Sequence, residues 1–311
     1  MQVHWNEADP SVWDALHRGA GGALQQHRAY REAMRALGVE CLSARVEDGG
    51  QTLALAQFLI RKVIGWIPVA LCSHGPVWTP GLPPEQQAEV LAALRRSVPL
   101  RWPRALLYTP DSSRDQAEGF ARLRRVMTGY ATVRIDLTQS LDALRAAQNG
   151  KWRNRLAAAE RSGLKVERLG SRPAQYRWLL DHELAQRGRR GYIALPDGFI
   201  EAYQTACRST GAQTEDPVYG LRLDADRSPI AGMLFLVHGE AATYQIGWAS
   251  EAGRQVDAHT LMLWQAVQAL KARGVRSLDL GGVDTQRGAG LARFKIGTGG
   301  AVITLAGTYL G

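Results

Sequence analysis

The sequence predicts an α+β protein built as two successive units, each a mixed, mostly antiparallel sheet flanked by helices. Three observations lead there. Helix-spaced segments give way to runs of strand-like segments twice along the chain, and the change falls near residue 135. The strand-like segments are joined by short turn signals, as antiparallel neighbours require. At 311 residues the chain is long for one domain and comfortable for two cores. The units are therefore expected at 1–135 and 136–311. No exact internal repeat is visible, so duplication rests on pattern alone.

In the first unit, helical spacing from Trp13 to Leu37 is interrupted by "GAGG", which predicts a short helix, a turn and a helix from about Gln25. Strands follow at 40–46, 53–60 and 66–71, the first two linked by the hairpin turn "EDGG". Two prolines open a helix in "PGLPPEQQAEVLAALRRSV", with Glu85 in its first turn and Arg95 and Arg96 in its last, as the helix dipole favours. "RALLYTP" and "YATVRIDL" read as strands. In the second unit, "SLDALRAAQNGKWRNRLAAAERSG" is helical, broken near Asn149-Gly150 and stopped by Gly163. "LKVERL" is a strand, and helices follow at about 173–186 and 196–209. Three strands then run through "PVYGLRLD", "PIAGMLFLVHG" and "ATYQIGWAS". A helix over 257–273 places Leu261, Trp264, Val267, Gln268 and Ala269 on or near one face. The strand "VRSLDLGG" and a short helix from about Ala289 complete the unit.

Composition excludes several classes. The longest apolar runs, 53–60 and 63–71, are too short and interrupted to span a bilayer. The opening "MQVHWNEADPSVWDAL" lacks the basic and apolar regions of a secretory signal, so a cytoplasmic location is expected. Cys41, Cys72 and Cys207 form no CxxC pair, and the seven histidines form no HxH or HExxH, so buried thiols and no metal site are expected. The formal charge is +9, and residues 151–190 alone hold eleven Lys/Arg against four Asp/Glu. A surplus so concentrated suits a polyanionic partner, although a solvated basic face gives the same count.

Three stretches carry chemistry. In "KWRNRLAAAERSG", Lys151 and Arg155 share one helical face while Trp152, Leu156 and Ala159 take the other, giving a basic ridge able to track phosphates. "AQRGRRGYIALPDGF" gathers Arg187, Arg189 and Arg190 at a helix end, followed by Tyr192. Arginine forks match phosphate oxygens, and a neighbouring aromatic ring can stack on a base or guanidinium. In "SLDLGGVDTQRGAGLARFKIGTGG", a strand ends in Gly281-Gly282, Asp284 follows, and a short helix carries Arg293, Phe294 and Lys295. This is neither a Walker A loop nor a dinucleotide fingerprint. The flanking glycines suit close packing around a helix that aims Lys295 at an oxyanion or a phosphate. No GxSxG occurs and no cysteine lies in a catalytic context, so a positioning enzyme or a binder fits better than a covalent catalyst.

Taken together these segments resemble the FemABX family of aminoacyl-tRNA-dependent transferases, which build peptide branches on peptidoglycan precursors. The resemblance is carried by "KWRNRLAAAERSGLKVERL", "HGPVW" at 74–78, "AQRGRRGY" and above all "DLGGVDTQRGAGLARFKIGTGG". It covers most of the chain and is clearest from about 145 to 300. It implies a pair of GNAT-like domains in a compact member without the coiled-coil insertion. Lys295 would lie beside the aminoacyl ester, on its carbonyl oxyanion or the terminal tRNA phosphate, with Phe294 supporting it. Arg187 or Arg190 would hold the acceptor diphosphate, with Tyr192 and Arg293 beside the substrates and Lys151 and Arg155 toward tRNA. The implied partners are aminoacyl-tRNA and a UDP-linked or lipid-linked muramyl peptide, with peripheral contact at the inner membrane face. The family's N-terminal acceptor-binding lysine has no counterpart, and Arg28, Arg31 or Arg35 stand in its region, Arg31 being the candidate for substrate binding.

An acetyl-CoA enzyme of the same superfamily needs a [QR]xxGx[GA] turn to cradle pyrophosphate. Here the place after "ATYQIGWAS" reads "EAGRQVDAHTLM", and Arg254-Gln255-Val256-Asp257-Ala258 lacks the glycine, so no cofactor and no acetyl-CoA is expected. An aminoacyl ester is already activated toward an amine, which accounts for the missing nucleophile. Asp284 is the candidate proton acceptor, alongside Asp279, whose alternation with apolar residues also suits a structural cap. Two other functions fit the sequence: an N-acyltransferase using acyl-CoA or an acyl carrier on a small-molecule amine, and a non-catalytic module for anionic ligands. The oligomeric state is not encoded in any motif.

Overall fold

A computed structural model describes residues 1–311 apart from 8, 191–194, 213–215 and 287 and the side chains of Arg189 and Arg190. The chain divides into two units: Met1–Ala131 with Thr205–Thr214 and Ile303–Gly311, and Thr132–Gln204 with Glu215–Val302. The expected split at 135 with a second domain running to 311 differs from this in the returns to the first unit. The return at the end is topological: the short strand over 308–310 pairs with the strands over 105–109 and 124–127.

The first unit comprises β1 (Gln2–Trp5), α1 (Pro10–Gly19), α2 (Arg28–Ala36), β2 (Cys41–Asp48), β3 (Gln51–Val63), β4 (Ile67–Ser73), β5 (Val77–Trp78), α3 (Pro84–Ser97), β6 (Ala105–Thr109) and β7 (Arg124–Met127). The second holds β8 (Ala131–Asp136), α4 (Leu141–Ala147), α5 (Gly150–Arg161), β9 (Val166–Leu169), α6 (Pro173–Arg190), α7 (Phe199–Thr210), β10 (Val218–Ala225), β11 (Ser228–His238), β12 (Ala241–Ala249), α8 (Glu251–Gln255), α9 (Ala258–Ala272), β13 (Ser277–Val283), α10 (Ala289–Ile296) and β14 (Ala301–Thr304), where β8, α7 and β14 each run across a unit boundary. The last strand, β15 (Thr308–Leu310), belongs to the first unit.

The first sheet has the order β1-β2-β3-β4-β6-β15-β7, with β5 on β3. Only the β4–β6 pair of its assigned ladder is parallel, reached through α3 as a crossover. α3 lays Val90, Leu91 and Leu94 over Ala44, Ala56, Phe58, Leu106 and Tyr108. Pro84 stands at its start, Glu85 in its first turn and Arg95 and Arg96 in its last, as the sequence indicates.

The second sheet has the order β14-β8-β13-β12-β11-β10-β9. Its core combines Trp152, Leu156 and Ala159 of α5 with α9 and the central strands, so the apolar stripe of "KWRNRLAAAERSG" faces inward as expected. The break before α5 is a cap: Gln148 is extended, and the Asn149 side chain accepts from Lys151 N at 3.0 Å. On α9, Leu261, Trp264 and Val267 are buried but Gln268 is exposed. Met262, Leu263, Ala266 and Leu270 are buried too, because a helix packed on a sheet and under α5 has no wide solvent face. The short strands β1, β5, β7, β14 and β15 lie outside the sequence expectation. Two to four residues carry too little alternation to show, and in β7 all four are exposed.

Candidate active site

The parallel pair β12–β13 is registered from Ala241↔Ser277 to Thr243↔Asp279 and no further, although the strands run on to Ala249 and Val283. Two features part them. β12 carries a register shift opposite Leu234/Phe235, between Tyr244 and Ile246. β13 turns at Gly281, whose φ is +74°. The sheet therefore opens immediately beyond Thr243 and Asp279.

Lys295 occupies that opening. Its Nζ donates to Gly282 O at 2.9 Å and lies 6.0 Å from the centroid of the Tyr244 ring. The residue is only 6% exposed. Burial lowers the ammonium pKa from 10.5 to about 8, and the negative charge of Asp279 acts in the opposite direction. An ammonium has three donors, so one bond to Gly282 leaves two for a ligand. Asp279 is fixed in turn: its Oδ1 accepts from Thr132 Oγ1 at 2.6 Å and from Gly281 N at 2.7 Å, and Oδ2 lies 3.5 Å from Arg134 Nε.

The helix that carries Lys295 is clamped from both sides. Trp152 Nε1 donates to Phe294 O at 3.1 Å, and the Phe294 ring lies between Trp152 and His259, with centroids at 6.3 and 6.1 Å. His259 donates through Nε2 to Trp248 O, and burial pushes its pKa below the usual imidazole value. Beyond the helix, Gly297 O accepts from Asn149 N at 2.9 Å. A Cβ on Gly299, at φ +81°, would stand 2.3 Å from Ala147 O. The glycine-flanked stretch is thus a close-packed mount that lets α10 sit against α4 and α5.

The other expected site residues are distributed as follows. Asp284 is exposed, and its Oδ1 accepts from Gln286 N at 2.8 Å, an Asx turn leading into α10. The carboxylate felt by Lys295 is that of Asp279. Arg293 is exposed on α10. Lys151 and Arg155 are both exposed on α5, with Arg155 Nε 3.7 Å from Asp257. Arg187 donates to Asp197 Oδ1 at 2.6 Å and to Leu195 O. Tyr192 and the side chain of Arg190 lie outside the described residues. In the first unit, Arg31 pairs with Glu32 at 2.9 Å and stacks 5.8 Å from the Trp13 ring, and burial lowers its pKa. Cys41, Cys72 and Cys207 are all buried, and no group of His, Cys, Asp or Glu suited to a metal ion occurs among the described residues.

Thr132, Arg134 and Tyr244 carry no motif and were invisible in the sequence. A second cluster in the first unit explains "HGPVW". His74, at φ +53°, donates through Nδ1 to Asp111 Oδ1 at 2.6 Å and accepts from the Tyr130 hydroxyl at Nε2, 2.9 Å away. The only sequence signal for it was the His-Gly-Pro turn.

Residues 118–295, more than half of the chain, match the acetyltransferase (GNAT) domain family. The chain belongs to that family. As a GNAT protein it is an acyltransferase, and the matched segment ends on Lys295. No curated protein matches it at the sequence level. Among solved structures, the GNAT chain is similar to FemX, with TM-score 0.81 and 16% identity over 100% of this chain and 97% of that one. It is also similar to the C-terminal domain of a putative lysylphosphatidylglycerol synthetase from Agrobacterium fabrum, with TM-score 0.53 and 16% identity over 97% and 91%. A tandem GNAT protein from the clavulanic acid biosynthesis pathway aligns with TM-score 0.53 and 12% identity over 100% and 98%. At these identities the likeness is one of fold: two tandem GNAT-like units, FemABX-like in architecture.

Proposed function

We propose that this GNAT chain transfers an amino acid from aminoacyl-tRNA to the amine of a UDP-linked or lipid-linked muramyl peptide. The observation that carries the reading is the buried Lys295 ammonium at the sheet opening, held on a clamped helix. The reaction asks for little more. The acceptor amine attacks the ester carbonyl carbon, the new C–N bond forms, and the C–O bond to the ribose breaks. The proton lost by the amine ends on the departing ribose hydroxyl. Charge accumulates on the carbonyl oxygen in between, and a preorganised cation in a water-poor site is the group that stabilises it.

The FemABX-like architecture supports this donor, as does the place after β12 where a GNAT enzyme would cradle pyrophosphate. Gly253, the glycine available there, is used for packing: a Cβ on it would stand 2.3 Å from Ile230 O. Asp257 follows at φ +52° and opens α9. These residues do not fit a pyrophosphate cradle, so no step is assigned to acetyl-CoA. The family name favours acyl-CoA as the second reading. Incubation with labelled aminoacyl-tRNA and, separately, labelled acetyl-CoA, each with UDP-muramyl peptide, decides between them. Label transferred from CoA alone overturns the proposal.

Two further results are expected. If the charged form of Lys295 acts, turnover falls as pH rises through about 8, the pKa of its ammonium. Asp279→Asn removes the charge that raises this pKa, so the alkaline limb moves to lower pH, which a pH–rate profile of the two enzymes reads directly. The paired replacement Arg187→Ala/Arg190→Ala should raise the acceptor KM and flatten its salt dependence, whereas an unchanged KM places both outside the acceptor site.

A further inference from the structure

The β3–β4 hairpin of the first unit ends in Ile64-Gly65-Trp66, with Ile64 79% and Trp66 62% exposed. Ile64 adopts φ +50° and Gly65 φ +77°. Two successive left-handed residues in a hairpin are what Asn-Gly supplies, and a β-branched residue is the least suited to the first of them. The fold therefore holds an isoleucine in a strained conformation and buries almost none of it. Strain of this kind, with no packing return, marks a functional position.

A second tryptophan precedes the same end of the sheet. β4 and β6 are parallel from Val69 opposite Ala105, so Trp66, just before β4, and Trp102, three residues before β6, both lie ahead of the strand starts at one end of the sheet. Trp102 is 86% exposed. The segments that meet at this end are also rich in cations. β7 reaches it at Arg124, which is level with Leu310 and, through β15, with Leu107. The segments 61–66, 95–104 and 122–125 that end here contain Arg61, Lys62, Arg101, Arg122 and other arginines, and no Asp or Glu. Glu40 lies level with Ile60, four residues short of the tip. Among the described residues no helix is long and apolar enough to cross a membrane.

We infer that this end of the first unit docks on an anionic lipid bilayer, with Ile64, Trp66 and Trp102 entering the interface and the surrounding cations meeting the headgroups. Tryptophan settles at the headgroup level, and lysines and arginines near an anionic surface each add attraction. The aliphatic members argue against a nucleic acid, since Val63 and Ile64 have no ring to stack on a base. The inference uses no residue of the proposed transfer site and does not depend on the donor.

The test is co-sedimentation of the full chain with phosphatidylglycerol/phosphatidylcholine vesicles, with pure phosphatidylcholine as the comparison. Binding to the anionic vesicles is expected, weakened by salt. Trp66→Ser/Trp102→Ser should weaken it about tenfold or more. Ile64→Asn provides the control for folding: it relieves the left-handed strain, so thermal stability should rise while vesicle binding falls. The inference is overturned by equal binding of these variants, by no binding of the parent, or by a lost affinity for RNA instead. It is also overturned if ultracentrifugation shows a dimer that the tryptophan replacements dissociate.

Discussion

Lys295→Met is expected to lower turnover by about 100-fold or more, the scale of removing one oxyanion donor. The same variant should be more stable than the parent. At pH 7 the folded protein holds a buried ammonium whose pKa has fallen from 10.5 to about 8, a burden of ~3 kcal/mol that methionine lifts. The sign follows from proton counting. Between pH 8 and 10.5 the unfolded chain binds more protons than the folded one, so parent stability rises with pH across that window. The variant lacks this rise. Single-turnover kinetics and urea titrations at pH 7 and 10 test both halves, and full activity in the variant removes Lys295 from the chemistry.

Gly299→Ala should cost about 3 kcal/mol, the sum of forcing a side chain into φ +81° and of driving its Cβ against Ala147 O. The chain can relieve the clash only by moving the residues after α10 away from α4. That movement takes the mount of Lys295 with it, so activity should fall along with the urea midpoint. An unchanged midpoint would mean that the segment is looser than its contacts indicate.

Sequence and structure agree where the signal is local. Helix starts, the break at Asn149 and the inward stripe of Trp152, Leu156 and Ala159 are all set by residues within a few positions of each other. Lys295 stood out for the same reason. Its surroundings did not, because Thr132, Asp279 and Lys295 meet only after separations of 147 residues and of a full helix. Asp279 reads as an edge cap in the sequence, and the structure shows it capping Gly281 while its charge also acts on Lys295. Asp284, placed in the open by the loop it helps to form, is engaged by its own turn. Parting of β12 from β13 depends on a bulge and a left-handed glycine, and neither alters the alternation that announces a strand.

Strand β15 sits between β6 and β7, and β7 reaches the first sheet through it. A ribosome delivers residues 308–310 only after the whole of 132–302 has emerged. The first sheet therefore cannot close until 132–302 has been made, and β6 waits with an unpaired edge until then. Maturation of the early half is timed by the late half. A stalled or clipped chain would leave β7 adrift and β6 open to pairing with a stranger.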